Sequence, residues 1–149
     1  MQLHDGWDRK SHGLLMTALT FLVLFSGCGK SDRIPTYKVT GKVLVDGKPA
    51  KHVILKFHPR KQDSEKPYVP NGLTDESGNF SLATYEKGDG APAGDYDVTF
   101  IWPERKNPIS TMWEGDQLNG RYATKEKAKT QVTVAEKDQK LSPFKLSSE

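Results

Sequence analysis

Apolar and polar positions alternate through much of the chain beyond residue 36. Tyr37, Val39, Gly41, Val43 and Val45 are separated by Lys38, Thr40, Lys42 and Leu44. A period of two puts successive side chains on opposite faces of a strand, so this segment reads as half-buried β-structure. Asp46-Gly47 follows it, a hairpin signal because both central residues of a type I′ turn need positive φ. Val53, Leu55 and Phe57 share one face of a second strand. The segment from Gly72 to Phe80 places a turn between two short strands, after which Phe80 and Leu82 point the same way. Gly88-Asp89-Gly90-Ala91-Pro92-Ala93-Gly94 reads as a loop, and Tyr96, Val98, Phe100 and Trp102 form a further alternating face. Val132 and Val134 mark a later strand, and Phe144 with Leu146 closes the series. No window carries the 3.6-residue period of an amphipathic helix. The pattern predicts an all-β fold, a single antiparallel β-sandwich of about seven strands whose alternating apolar residues are the core.

The beginning of the chain is patterned differently. Gly13 to Phe25 read GLLMTALTFLVLF, a run without charge, preceded by Arg9, Lys10 and His12 and closed by Ser26-Gly27-Cys28. A membrane-spanning helix needs roughly 20 apolar residues to cross a ~30 Å hydrocarbon core, and this run is shorter. Its length is that of the apolar segment of a secretory signal, about 7 to 15 residues. Phe25-Ser26-Gly27-Cys28 resembles the lipobox of bacterial lipoproteins, with Phe where that motif prefers Leu. Asp5 and Asp8 also depart from a purely basic leader. The resemblance implies that the Cys28 thiol receives a diacylglyceryl group and that a signal peptidase cuts before it. Two acyl chains, at roughly 0.8 kcal/mol per buried CH₂, anchor a protein stably. Gly29, rather than Asp, carries no inner-membrane retention signal of the kind some bacteria use.

Composition changes this picture little. Twenty-two Lys and Arg against 19 Asp and Glu leave a net charge of +3, too weak and too scattered to argue for nucleic acid, and the loose cluster Lys125, Lys127 and Lys129 reads as a solvated face. The one cysteine of the chain excludes an internal disulfide and any multi-cysteine zinc site. A lone Cys needs an explanation, and its place after the apolar run supplies one. Residues 1–27 are therefore expected to be a lipoprotein signal peptide, 28–36 a tether that includes the polar Gly29-Lys30-Ser31-Asp32-Arg33-Ile34-Pro35, and 37–147 the sandwich domain.

Within that domain, Val39-Thr40-Gly41-Lys42-Val43, then Asp46-Gly47-Lys48-Pro49, then Val53-Ile54-Leu55-Lys56-Phe57 resemble the opening of a carboxypeptidase regulatory-like domain. Thr74-Asp75-x-x-Gly78-x-Phe80 is similar to that family's most recurrent motif. Gly88-Asp89-Gly90-Ala91-Pro92-x-Gly94-x-Tyr96-x-Val98 and Gly120-Arg121-Tyr122 resemble a subgroup of short bacterial lipoproteins. The resemblance runs from about Tyr37 to Leu146. It implies a transthyretin-like sandwich that serves as an accessory or binding module without an activity of its own. The motif residues make sense as architecture: Gly41 and Gly78 permit tight backbone, Asp75 bonds turn amides, and Pro49 pre-sets a turn.

Other chemistries fit less well. A carboxypeptidase zinc site needs His and Glu close in sequence plus a distant His. After the leader there are only His52 and His58, six residues apart on one predicted strand. At ~3.3 Å per residue that is roughly 20 Å, too far for one metal, so both are expected at the surface. Hydroxyisourate hydrolases of transthyretin-like fold carry a C-terminal Tyr-Arg-Gly-Ser motif, whereas this chain has Ser142-Pro143-Phe144-Lys145-Leu146-Ser147-Ser148-Glu149. Asp75-x-Ser77-x-Asn79 begins like a calcium loop with Glu86 at the twelfth position, but Phe80 stands where the EF-hand requires Gly. It is expected to be a β-turn. Asn79-Phe80-Ser81 matches a glycosylation sequon that carries little weight in a bacterial setting.

Between Trp102 and Lys129 no strand is evident, and Pro103, Pro108, Gly115 and Gly120 punctuate the segment. Loops this long tend to be functional or disordered. Trp113 and Tyr122 are expected to fold back as a lid over the open end of the sandwich, in preference to a ligand role for Trp113, Met112, Glu114 and Asp116. The expected function is that of a non-enzymatic, lipid-anchored cell-envelope protein, exported to the outer membrane or periplasmic face. Its expected partners are the membrane, through lipid on Cys28, and an envelope protein or glycan; neither nucleic acid, cofactor nor metal is expected. The alternatives are a transthyretin-like hydrolase and an adhesin-type module with an internal Lys–Asn isopeptide bond.

Overall fold

The computed structural model describes residues 33–61, 67–104 and 113–149. In chain order the strands among the described residues are β1 (Val39–Val45), β2 (Lys48–Pro49), β3 (Ile54–Pro59), β4 (Asn71–Leu73), β5 (Asn79–Ser81), β6 (Gly94–Ile101), β7 (Thr130–Val134), β8 (Gln139–Lys140) and β9 (Phe144–Leu146), with one helical turn, α1 (Lys125–Ala128), before β7. Contacts group Ile34–Glu149 into one compact unit, and Cys28, expected to carry the lipid, and the expected leader before it lie outside the described residues.

β1 is the spine of the first sheet. Its burial alternates along its length, with Val39, Gly41, Val43 and Val45 turned inward, as the alternation predicts. One edge pairs antiparallel with two strands set end to end: β5 opposite Thr40–Lys42 and β2 opposite Leu44–Val45. The turn into β2 has Asp46 and Gly47 at φ 51° and 78°, the positive values its sequence asks for. Pro49 lies in β2 opposite Leu44, shortly before the turn at Lys51 and His52.

The other edge of β1 departs from a purely antiparallel sandwich. β8 and β9 both pair with it in parallel, through Val39↔Gln139 and Val43↔Phe144. A parallel neighbour needs a long crossover, and here everything from β2 to β7 lies between the paired strands. The second sheet, ordered β4-β3-β6-β7, is antiparallel throughout. Its central ladder matches Leu55 to Phe100 and Phe57 to Val98, so the inward faces of β3 and β6 are in step.

The core lies between the sheets and comprises the residues the alternation names. Val39, Val43, Val53, Leu55, Phe57, Leu82, Tyr96, Val98 and Phe100 have no accessible surface. Each such large side chain contributes about 1.5–3 kcal/mol of burial. Phe144, half buried, links the layers: its ring stacks on Phe80 at 5.9 Å and meets Phe100 edge-on at 5.1 Å. Gly41 makes room for this packing, because a Cβ there would stand 2.6 Å from Phe80 Cζ. The Tyr96 hydroxyl, buried and donating to Pro92 O at 2.7 Å, is pushed well above its ordinary pKa by that burial.

Candidate functional site

The start of β3, the end of β4 and the end of β6 meet at one end of the second sheet, where Ile54 pairs with both Leu73 and Ile101. The turn leading into β3 is clamped by Thr74, whose side chain is 1% exposed. Its hydroxyl donates to Ala50 O at 2.7 Å and accepts from Val53 N at 2.8 Å, while its carbonyl accepts from His52 N at 3.0 Å. His52 is held in this turn at φ 62°, in the left-handed region that a non-glycine residue seldom adopts.

Trp102, just past β6, is fixed along its backbone and at its ring. Its amide donates to Asp116 Oδ1 at 2.9 Å, its carbonyl accepts from Gln117 N at 2.8 Å, and its indole Nε1 donates to Lys51 O at 2.9 Å. Asp116 also accepts from Leu118 N and Gly120 N, each at 3.0 Å, which winds residues 116–120 into a tight turn and delivers Leu118 fully buried into the core. Paired backbone bonds between Glu104 and Glu114, at 3.1 and 3.0 Å, form a two-residue bridge beside it. That bridge carries Trp113, whose ring meets the His52 ring edge-on at 4.6 Å.

These groups enclose a groove of two lobes. The first, about 410 Å³, lies among Trp102, Trp113, His52, Lys51, Glu104 and Gln117. The second, about 400 Å³, shares His52, Pro103 and Trp113 with the first and extends over Ile54, Asn71 and Leu73. Leu73 is 58% exposed and Trp113 39%, so the groove presents large apolar surface to solvent. Lys51 Nζ is 3.2 Å from Glu76 Oε2 at its rim. The lining therefore combines flat aromatic surface with hydrogen-bonding groups of both polarities.

No family model matches the chain, and no curated protein matches it at a significant level. Among solved structures it is similar to a DUF3823 family protein from Parabacteroides merdae, at 16% identity over 77% of this chain and 46% of that one, with a TM-score of 0.36. It is also similar to a 9R-lipoxygenase from Cyanothece (14% identity, 78% and 18% covered, TM-score 0.39). A third neighbour is an (S)-allantoin synthase (16% identity, 76% and 41% covered, TM-score 0.42). The chain spans less than half the length of each of these proteins.

The structure distributes the sequence-predicted residues unevenly. Tyr122 does fold back over the sandwich, packing edge-on against Phe100 at 6.2 Å and accepting from Ser147 N at 3.1 Å. Trp113 does not join it there. It lines the groove, packed edge-on against His52 beside the Glu104–Glu114 bridge. Neither histidine is a plain surface residue. His52 precedes β3 and packs on Trp113, while His58, half buried in β3, lies 2.9 Å from Thr99 Oγ1 through Nε2. Asp75 makes the expected β-turn, its Oδ1 accepting from Ser77 N and Asn79 N at 2.9 Å each. Among the described residues, no group of three His, Cys, Asp or Glu side chains could hold a metal ion. Met112 lies outside the described residues.

Sequence reasoning missed Thr74 and Asp116 as the residues that build the groove. Asp116 had a signal: its carboxylate bonds the amides two and four residues on, the same device that Asp75 uses.

Proposed function

We propose that the chain is a non-enzymatic bacterial lipoprotein, held at the cell envelope by lipid on Cys28, whose sandwich is a binding module of the carboxypeptidase regulatory-like, transthyretin-like kind. The observation that carries the anchoring is the order of features along the chain. An uncharged apolar run, Phe25-Ser26-Gly27-Cys28 and a polar tether directly precede a compact unit that begins at Ile34. In this reading the thiol takes the diacylglyceryl group, cleavage leaves Cys28 as the first residue, and the tether sets the domain off from the membrane surface. The groove at Trp102 and Trp113 supports a binding role, since aromatic surface and polar groups line it at one end of the second sheet.

The test is incorporation of an alkyne-tagged palmitate in cells, followed by fractionation. The wild-type chain is expected to carry the tag and sediment with membranes, and Cys28→Ser to lose the tag and leave the membrane fraction. A tagged Cys28→Ser variant, or an untagged wild type in the soluble fraction, would remove the anchor.

A further inference from the structure

We infer that the two-lobed groove running from Trp102 across Trp113 to Leu73 binds a neutral oligosaccharide. This rests on the reading of the domain as a binding module and supplies the class of its ligand. Of the three tryptophans in the chain only Trp102 and Trp113 lie beyond residue 7, and both line this one groove. A sugar ring offers a face of C–H groups that stacks on the electron-rich face of an indole, and a rim of hydroxyls that each donate and accept.

The lining answers both features. Trp102 and Trp113 supply the flat surface, Lys51 donates, Glu104 accepts, and Gln117 does both in the first lobe. Asn71 and His52 repeat the polar pattern in the second. The charges do not favour an ion. Lys51 is already paired with Glu76, and the first lobe holds one group of each sign. An apolar lipid or peptide side chain would leave this polar rim desolvated and unmatched.

The shape calls for a chain rather than a single ring. The two lobes, about 410 and 400 Å³, adjoin at His52, Pro103 and Trp113, so an occupant of both spans the His52–Trp113 pair. The site is also held in advance: the Trp102 backbone by bonds to Asp116 and Gln117, its ring by Lys51 O, and the His52 turn by Thr74. A site whose parts are already ordered spends little of its binding energy on ordering them.

The experiment uses the protein extracted from membranes into detergent; cleavage before Cys28 removes Trp7, and Trp7→Phe silences any uncleaved chain, so that emission comes from Trp102 and Trp113 alone. Cellopentaose, maltopentaose, xylopentaose, mannopentaose and chitopentaose are each titrated. At least one is expected to give a saturable emission change, with the matching disaccharide binding about tenfold or more weakly because it fills one lobe. Trp113→Ala is expected to weaken binding about tenfold or more, with the thermal midpoint unchanged, and Gln117→Ala to weaken it less. Silence from all five pentasaccharides overturns the assignment. So does a response that survives Trp113→Ala, or one given by tetramethylammonium while the sugars stay silent, which would make the rings a cation site. Fractionation of the same cells before detergent extraction separates the two claims. Cys28-dependent membrane association without sugar binding removes only the ligand, whereas loss of that association removes the anchor and leaves the sugar result standing.

Discussion

Asp116 Oδ1 accepts the Trp102 amide at 2.9 Å, fourteen residues back along the chain, and that bond ties the end of β6 to the segment that builds the groove. The same oxygen accepts from Leu118 N and the other from Gly120 N. Removing the carboxylate leaves three amides without this partner. Asp116→Ala is expected to cost about 3 kcal/mol, and Asp116→Asn, which keeps the Oδ1 acceptor, about 1 kcal/mol. Urea unfolding followed by tryptophan emission measures both. Equal losses in the two variants would show that the Oδ1 bonds are not what holds the turn.

Thr74 gives the second prediction. Its hydroxyl is buried and satisfied in both directions, by Ala50 O and Val53 N. Thr74→Val keeps the volume and strands both partners, so a loss of about 2–3 kcal/mol is expected, whereas Thr74→Ser should lose less than half as much. Because His52 N also depends on this residue's carbonyl, Thr74→Val should shift the Trp113 emission maximum in the folded protein. An unshifted spectrum would separate the clamp from the groove.

The core was legible in the sequence because burial in a sheet follows a period of two, and Val39, Val43 and Val45 of β1, Leu55 and Phe57 of β3, and Tyr96, Val98 and Phe100 of β6 are all buried at that spacing. The parallel pairing of β8 and β9 with β1 was not. Gln139 and Val39 lie far apart along the chain, and nothing local in either segment encodes their direction. The groove failed to appear for a related reason. Trp113 reads as an apolar residue in a loop, and its contact with His52, sixty-one residues back along the chain, has no local mark. His52 is harder still, since an αL histidine carries no mark in its sequence; it follows from Thr74, which lies on the far side of β3 and β4.

Gly41 carries a prediction about packing. A methyl group there would lie 2.6 Å from Phe80 Cζ and 2.7 Å from Cε1, inside the contact distance of any carbon pair. Gly41→Ala is expected to cost about 1–3 kcal/mol by overpacking. Because the clash is with a ring, Phe80→Leu should relieve part of it. The double variant is then expected to be less destabilised than the sum of the two singles, by about 1 kcal/mol. Strict additivity would locate the strain in the β1 backbone instead.

The pH dependence of stability tests the outer face of the second sheet. His58 is held below its ordinary value of 6.5, first by burial and then by the charges of Lys125 and Lys56, with Asp97 opposing them. Asp97 itself faces Arg60 at 3.8 Å. With the folded value depressed, the unfolded chain takes up the proton first as the pH falls, so the folded state loses ground from about pH 6.5 downward. The loss grows until the folded-state value is passed and is constant below it. Above about pH 6.5 His58 imposes no such penalty. Urea midpoints between about pH 8 and pH 5 should therefore fall less steeply for His58→Gln than for the wild type. Lys125→Gln, which removes one of the two cations but keeps the histidine, should flatten the curve partway. A wild-type curve parallel to that of His58→Gln would mean that the Thr99 contact, with Nε2 and Oγ1 2.9 Å apart, persists equally well around the imidazolium and that burial is not what governs this histidine.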